Sequence, residues 1–389
     1  MDITIHPRSL RGKITVIPSK SQAHRLLICA AFADCPTQLL CPETNRDIEA
    51  TADCLRALGA QITKTDCGYT VSPIKDAPQV AQLNCCESGS TLRFMLPIVG
   101  ALGVDTTIRM EGRLPQRPLS PLREEMERMG CHLERPTVNM IRCSGKLQPG
   151  NYRIDGSVSS QFITGLLFAL PLIPGQTSLE ITGKVESRPY IEMTKCALKL
   201  FNAPNFSSPG YVTVEGDWSN GAFFLAANAL GSELSISGLD PDSVQGDRAV
   251  ADLLPALANG APTISAADIP DLVPILSIVA ATNHGAVFTD IQRLRLKESD
   301  RVASVIAMIT ALGGKAKADE STLTVYGTGL HGGIVDSCND HRIAMSAAIA
   351  ATVCSNPVTI LGAQSVSKSY PRFWEEYRRL GGYYEQYLR

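Results

Sequence analysis

One segment design recurs six times along the 389 residues, and it limits the possible folds more than any single motif. The segments are SQAHRLLICAAFADCPTQLL from Ser21, GSTLRFMLPIVGALGVDTTIRM from Gly89, SSQFITGLLFALPLIPGQTSLEI from Ser159, SNGAFFLAANALGSELSISG from Ser219, DLVPILSIVAATNHGAVFTDI from Asp271 and DHRIAMSAAIAATVCSNPVTIL from Asp340. Each has a polar start, an apolar helix rich in Ala, Leu and Ile, a turn, and a short β-prone strand. A helix that is apolar on nearly every face is a buried helix. Between these lie amphipathic helices that stop at Gly before another strand: CLRALGAQITKT from Cys54, EEMERMGCHLER from Glu124, VIAMITALGGKAK from Val305 and EEYRRLGGYYEQY from Glu375. Gly ends such a helix because it accepts the left-handed conformation. Versions around Asn202 and Asn259 are weaker. The alternation predicts an α/β architecture. A chain this long exceeds what one core organises, so two domains with three repeats each are expected.

Ala/Leu helices followed by turns are common in α/β proteins, so the repeat alone does not assign a function. The unusual polar residues do more. Lys20-Ser21, Glu87 to Arg93, Ser159-Ser160-Gln161, Asp217 to Asn220, Asp268 to Asp271 and Asn339 to Arg342 all fall at the starts of the buried helices. Helix N-termini offer free N–H groups and partial positive charge, so several aimed at one cleft make a site for phosphate and carboxylate groups. The formal net charge of −2 argues against nucleic acid or a membrane surface as partner. The longest apolar run, Ile163 to Pro174, contains Pro171 and is too short to span a bilayer. The start MDITIHPRSL has no signal-peptide pattern, so a cytoplasmic location is expected. The twelve cysteines form no CxxC pair, and Cys29, Cys196 and Cys354 sit in apolar helical runs, which reads as buried free thiols in a reducing cytosol. Cys85-Cys86 and Cys338 with His341 lack a second ligand pair, so no metal is expected.

Individual motifs carry two readings each. RLKESDR, Arg295 to Arg301, fits a solvated helix start with its own ion pairs as well as an anion site. NDHR, Asn339 to Arg342, opens an apolar helix, where charges are costly unless they face a cleft. IPSKSQAHR, Ile17 to Arg25, lacks the GxxxxGK[ST] pattern, which disfavours ATP. In SSQ, Ser159 or Ser160 serves as an N-cap or as a ligand, and SRPY, Ser187 to Tyr190, is a turn before a helix or a binding segment.

In chain order, PSKSQAHR at Pro18, ESGSTLR at Glu87, GRLPQRP at Gly112, SSQF at Ser159, SRPYIEMT at Ser187, EGDWS at Glu215, DIPD at Asp268, RLKESDR at Arg295, NDHRIAMS at Asn339 and KSYPRFW at Lys368 resemble the EPSP synthase family of enolpyruvyl transferases. The resemblance runs nearly end to end. It implies a two-domain enolpyruvyl transferase fold, an inside-out α/β barrel with three βαβαββ units per domain, closing on substrate. Residues 19–216 would form the upper domain, on the shikimate 3-phosphate side. Residues 1–18 and 217–389 would form the lower one, with the proton-transfer groups and much of the phosphoenolpyruvate site.

By the same resemblance, shikimate 3-phosphate is assigned to Lys20, Ser21, Arg25, Ser159, Ser160, Gln161, Ser187, Tyr190, Asp271 and Lys297. Phosphoenolpyruvate is assigned to Lys20, Gly89, Arg117, Gln161, Arg301, Arg342 and Lys368. Asp271, Lys20, Glu298 and His341 are the candidate catalytic groups, with Asp271 first among them. Two phosphates and two carboxylates call for such a cluster of cations. No cofactor is implied, and the protein is expected to act as a monomer. Glyphosate would enter the phosphoenolpyruvate site, where Gly89 leaves room for it.

The sequence departs from the family pattern where Glu87 replaces Asn, Ser90 replaces Thr, Phe94 replaces Pro, and Gln22-Ala23-His24 replaces Ile-Ser-Asn; the chain is also shorter than most members. An acidic Glu87 beside a carboxylate site is unfavourable unless it points away or pairs with a cation. Two alternatives stay open. A UDP-N-acetylglucosamine enolpyruvyl transferase would typically carry a Cys in the loop that here reads EGRLPQRPLS. A non-catalytic phosphometabolite-binding protein would have lost proton-transfer groups, yet Asp271, Glu298, His341 and Lys368 are present.

Overall fold

A computed structural model describes residues 1–387. The chain divides into two compact units: one runs from Pro18 to Glu215, and the other joins Met1–Ile17 to the chain from Gly216 onward. The boundaries expected from sequence each lie one residue later.

All six apolar segments fold as helices: Lys20–Ala31, Gly89–Leu102 and Ser160–Ala169 in the first unit, and Trp218–Ala229, Val273–Thr282 and His341–Ala350 in the second. Each unit has a hydrophobic core of its own, and its three apolar helices run through it. Their interior position explains the lack of a polar face: in Val273–Thr282, every residue from Val273 to Ala281 is buried. Five of the six carry a capping side chain, from Ser19, Ser88, Ser159, Asp217 and Asp340, which accepts a backbone N–H of the first turn. The Val273 helix has no side-chain cap and carries Pro274 as its second residue, whose missing N–H removes one orphan donor. The surface helices stop as expected, at Gly59, Gly130, Gly313 and Gly381, all at positive φ.

Among the described residues each unit holds three sheets, two of four strands and one of two. In two of the four-stranded sheets, those of Val80–Asn84 and Thr263–Ser265, a parallel pair spans a buried helix and an antiparallel hairpin follows. Val80–Asn84 pairs parallel with Asp105–Arg109, which pairs antiparallel with Met140–Gly145, and that strand with Cys131–Thr137. The two-stranded sheets, Gly150–Asp155 with Thr177–Thr182 and Glu233–Ser237 with Arg11–Thr15, lack the hairpin. The reason lies in the two weak segments. After Asn202 and Asn259 the chain offers one short strand rather than two, Tyr211–Thr213 and Thr263–Ser265, and each joins the neighbouring sheet. The N-terminal strand Asp2–His6 fills the same deficit in the sheet that holds Val358–Leu361 and Tyr383–Tyr387.

The Gly89 and Ser160 helices pack closely because Gly165 faces the Arg93 carbonyl, where a Cβ would overlap the backbone. Gly165→Ala should therefore lower stability by about 1–3 kcal/mol through overpacking, read from the urea midpoint. An unchanged midpoint would show that the two helices are free to separate.

Candidate active site

In the unit 18–215 the helix starts bring two polar clusters into order. The first centres on Arg25, one turn inside the Lys20 helix and almost wholly buried. Its Nε donates to Thr194 Oγ1 at 2.9 Å, Nη1 to the Ser21 carbonyl at 2.6 Å and Nη2 to the Tyr190 carbonyl at 2.8 Å. Its guanidinium carbon sits 6.0 Å from the Tyr190 ring centroid and 5.4 Å from that of Phe94. Burial pulls its pKa down to about 10, which leaves it charged at neutral pH. Ser187, at φ 54, turns the chain into the Arg188–Leu200 helix that carries Tyr190.

The second cluster gathers at the Gly89 helix. Arg93 Nη1 donates to Gln161 Oε1 at 2.8 Å, and Gln161 Nε2 donates to Ser90 Oγ at 2.9 Å. Arg93 Nη2 holds the Pro118 carbonyl at 3.1 Å. A Cβ on Gly89 would lie 2.6 Å from Arg117 Nη1 and 2.7 Å from Arg93 Nη1, so two guanidiniums converge on a position that only glycine leaves open. Lys20 Nζ pairs with Asp47 Oδ2 at 3.1 Å, at the start of Arg46–Ala57. Ser159 caps its helix through the Gln161 N–H at 3.3 Å, and Ser160 is buried beside it. Glu87 turns its carboxylate against Gly112.

In the other unit the charges form one network. Arg301 is 1% exposed and spends its guanidinium on three carboxylates: Asp340 Oδ2 at 2.9 Å, Asp271 Oδ1 at 2.5 Å and Glu298 Oε2 at 2.7 Å. Asp271 Oδ2 accepts from Arg342 Nη2 at 3.0 Å, and Lys297 Nζ lies 3.5 Å from Asp271 Oδ1. Burial alone would raise the Asp271 carboxyl, but Arg342, Lys297 and Arg301 pull it well below the usual carboxylate range. Burial lowers Lys297 to about 8 despite the attraction of Asp271. Asp340 caps the His341 helix through the Arg342 N–H while holding Arg301, and His341 is buried in that first turn. Lys368 Nζ donates to the Asn339 carbonyl at 2.9 Å.

The structure thus brings Ser21, Arg25 and Tyr190 together, likewise Gly89, Arg117 and Gln161, and likewise Asp271, Lys297, Glu298, Arg301 and Arg342. RLKESDR divides between the two environments: Arg295 is half-exposed and 3.6 Å from Asp300, as in the ion-paired reading, whereas Arg301 is buried. Arg93, Asp47, Asp340 and Asp247 went unassigned in sequence. Arg93 and Asp340 lie inside quoted motifs; Asp47 and Asp247 carry no local signal. Asp247 accepts a short hydrogen bond from Ser219 Oγ, and burial, with Asp271 next, raises it to about 7. Among the described residues no group of three or more His, Cys, Asp or Glu is placed to hold a metal ion, and no helix is long and apolar enough to cross a membrane.

Such clusters of Arg and Lys at helix starts, balanced by buried carboxylates in an α/β chain of repeated units, define a class of enzyme that works on small anionic metabolites. The family model of EPSP synthase (3-phosphoshikimate 1-carboxyvinyltransferase) matches residues 5–259 and 258–377, and the chain belongs to that family. A 3-phosphoshikimate 1-carboxyvinyltransferase of Clostridium kluyveri is 36% identical over 415 residues, covering 98% of this chain and 97% of the relative. The enzyme of that name from Clostridioides difficile is also 36% identical, over 427 residues, with 98% and 97% covered. In fold, the chain is similar to a solved EPSP synthase from Acinetobacter baumannii, with a TM-score of 0.78 at 22% identity, covering 99% of this chain and 100% of that one.

Asp340 is the carboxylate that neutralises the innermost part of Arg301. Asp340→Ala should cost roughly 3–5 kcal/mol, because it leaves a buried guanidinium under-compensated. Calorimetric unfolding measures this, and a loss under about 1 kcal/mol would show that Asp271 and Glu298 suffice.

Proposed function

We propose that the chain transfers the enolpyruvyl group of phosphoenolpyruvate to the 5-hydroxyl of shikimate 3-phosphate, using the charge clusters described above. The reaction is an addition followed by an elimination. The hydroxyl oxygen bonds to the enol carbon and loses its proton, while the methylene carbon gains one. The tetrahedral intermediate then expels phosphate and gives a proton back, leaving the enolpyruvyl ether.

The observation that carries the residue assignment is the Asp271 network, where one carboxylate meets three cations. Phosphate and carboxylate groups of the substrates suit Arg342, Lys297 and Arg301 as partners, and competition for those cations frees Asp271. Held well below the ordinary carboxylate range, Asp271 orients the hydroxyl as an acceptor and becomes a stronger base only as substrate draws its cations away. Glu298, Lys20 and His341 are the further proton-transfer candidates. Lys20, Ser21, Arg25, Ser159, Ser160, Gln161, Ser187 and Tyr190 take shikimate 3-phosphate with Asp271 and Lys297. Lys20, Gly89, Arg117, Gln161, Arg301, Arg342 and Lys368 take phosphoenolpyruvate. The unit 18–215 is then the shikimate 3-phosphate side, and the other carries the proton-transfer groups and much of the phosphoenolpyruvate site. The enzyme acts as a monomer in the cytoplasm, a reducing compartment with which twelve free cysteines accord, although Cys196 is exposed rather than buried as expected because it lies on the outer face of its helix. The loop Glu111 to Ser120 holds no Cys, which disfavours the UDP-N-acetylglucosamine reaction.

A coupled phosphate-release assay tests this reading: release should need both shikimate 3-phosphate and phosphoenolpyruvate. Asp271→Ala should lower turnover by a factor on the order of a hundred or more while shikimate 3-phosphate still binds. No release by the wild type with both present would favour a binding protein. Near-normal turnover in the mutant would remove Asp271 from the mechanism.

A further inference from the structure

A buried chain of hydroxyls and one imidazole joins the N-terminal halves of three helices in the unit 18–215, and its bonds run one way. Ser88 Oγ, the cap of the Gly89 helix, accepts from the Thr91 N–H at 3.2 Å and from Thr91 Oγ1 at 2.7 Å. Thr91 Oγ1 also lies 3.4 Å from the Asp47 carbonyl, which can only accept. Whichever of the two takes its proton, Thr91 meets Thr51 Oγ1, 2.7 Å away, as the acceptor. Thr51 has then spent its own proton and accepts from His24 Nδ1 at 2.7 Å. A ring nitrogen that donates carries the proton, so His24 bears it on Nδ1 and Nε2 is bare.

The other nitrogen agrees. His24 Nε2 is buried with no hydrogen-bond partner among the described residues, and the ring lies edge-on to Phe94 at 6.3 Å. A bare nitrogen there is tolerable, whereas an N–H would be a buried orphan donor. Burial, then Lys20 and Arg25, hold the ring's pKa well below its ordinary value, and the nearby Asp47 carboxylate is already paired with Lys20. The ring is neutral, so it adds no charge beside those cations.

We propose that His24, in its Nδ1–H form, is a positioning residue for the phosphoenolpyruvate side of the site, heading a relay from His24 through Thr51 and Thr91 to Ser88. The relay fixes the cap of the Gly89 helix and with it Gly89, Ser90 and Arg93. It also ties that turn to the helix whose Asp47 holds Lys20. The kinetic part rests on the assignment of phosphoenolpyruvate made above; the direction of the relay does not.

Two measurements on the full chain test it. In histidine-labelled ¹⁵N NMR of the wild type, the His24 signal is the one lost in His24→Asn or, equally, His24→Gln. It should show the proton on Nδ1 and no titration between about pH 6 and 8. A proton on Nε2, or titration in that range, overturns the relay whatever the kinetics. In initial-rate kinetics, Asn places an amide nitrogen where Nδ1 stood and Gln does not. His24→Asn should keep the KM for phosphoenolpyruvate within about threefold, while His24→Gln raises it about tenfold with little change in the KM for shikimate 3-phosphate. Equal KM values for phosphoenolpyruvate in all three proteins overturn the positioning role. Absence of turnover in the wild type would instead be a failure of the functional reading, and the NMR result alone would then decide on the relay.

Discussion

Arg301 is the charge that the second unit is built around. Three carboxylates from separate places in the chain, Asp271, Glu298 and Asp340, converge on it, and it is 1% exposed. Removing a guanidinium from water costs several kcal/mol unless its donors are met, so this position exists only because all three partners are in place. Each partner has a second task. Asp340 caps the His341 helix, Asp271 holds Arg342 and Lys297, and Glu298 sits in the turn leading to Arg301. One buried ion cluster thus sets the first turn of a core helix and arranges cations suited to phosphate and carboxylate.

The same economy would let a chain with a formal net charge of −2 meet the strongly anionic substrates proposed for it. On the proposed assignment, internal carboxylates stand where substrate anions would: Asp271 against Arg342 and Lys297, Asp47 against Lys20. The cations are already oriented, and on that assignment binding would exchange one counterion for another. Electrostatic preorganisation of that kind avoids reorganisation when charge shifts during the reaction.

Much of the fold was legible because its signals are local. Ser19, Ser88, Ser159, Asp217 and Asp340 are capping residue types set directly before apolar runs, and Gly59, Gly130, Gly313 and Gly381 mark helix ends by the conformation they alone take easily. The two-stranded sheets were less legible, since a strand's partner is chosen by the tertiary fold; Tyr211–Thr213 pairs with Thr37–Leu40, far back in the chain. Among the charges, most cations and the carboxylates Asp271 and Glu298 could be named from motifs, but the counterions Asp47 and Asp340 could not. Asp47 is 27 residues from Lys20 and Asp340 is 39 from Arg301, separations that leave no periodic trace. Glu87 shows the limit of reading charge alone: its carboxylate turns to Gly112.

The exchange of counterions is open to direct measurement through Lys297. Burial lowers its pKa to about 8, so near that pH it is charged in only about half of the free molecules. On the proposed assignment, a dianionic phosphate would take the place of the singly charged Asp271 carboxylate and raise the pKa, so binding would take up a proton. Calorimetric titration of shikimate 3-phosphate at about pH 8, in buffers of different ionisation enthalpy, should report uptake of up to about half a proton, lost in Lys297→Arg. Binding with no proton uptake in the wild type would contradict the account, because Lys297 would then be no partner of the phosphate.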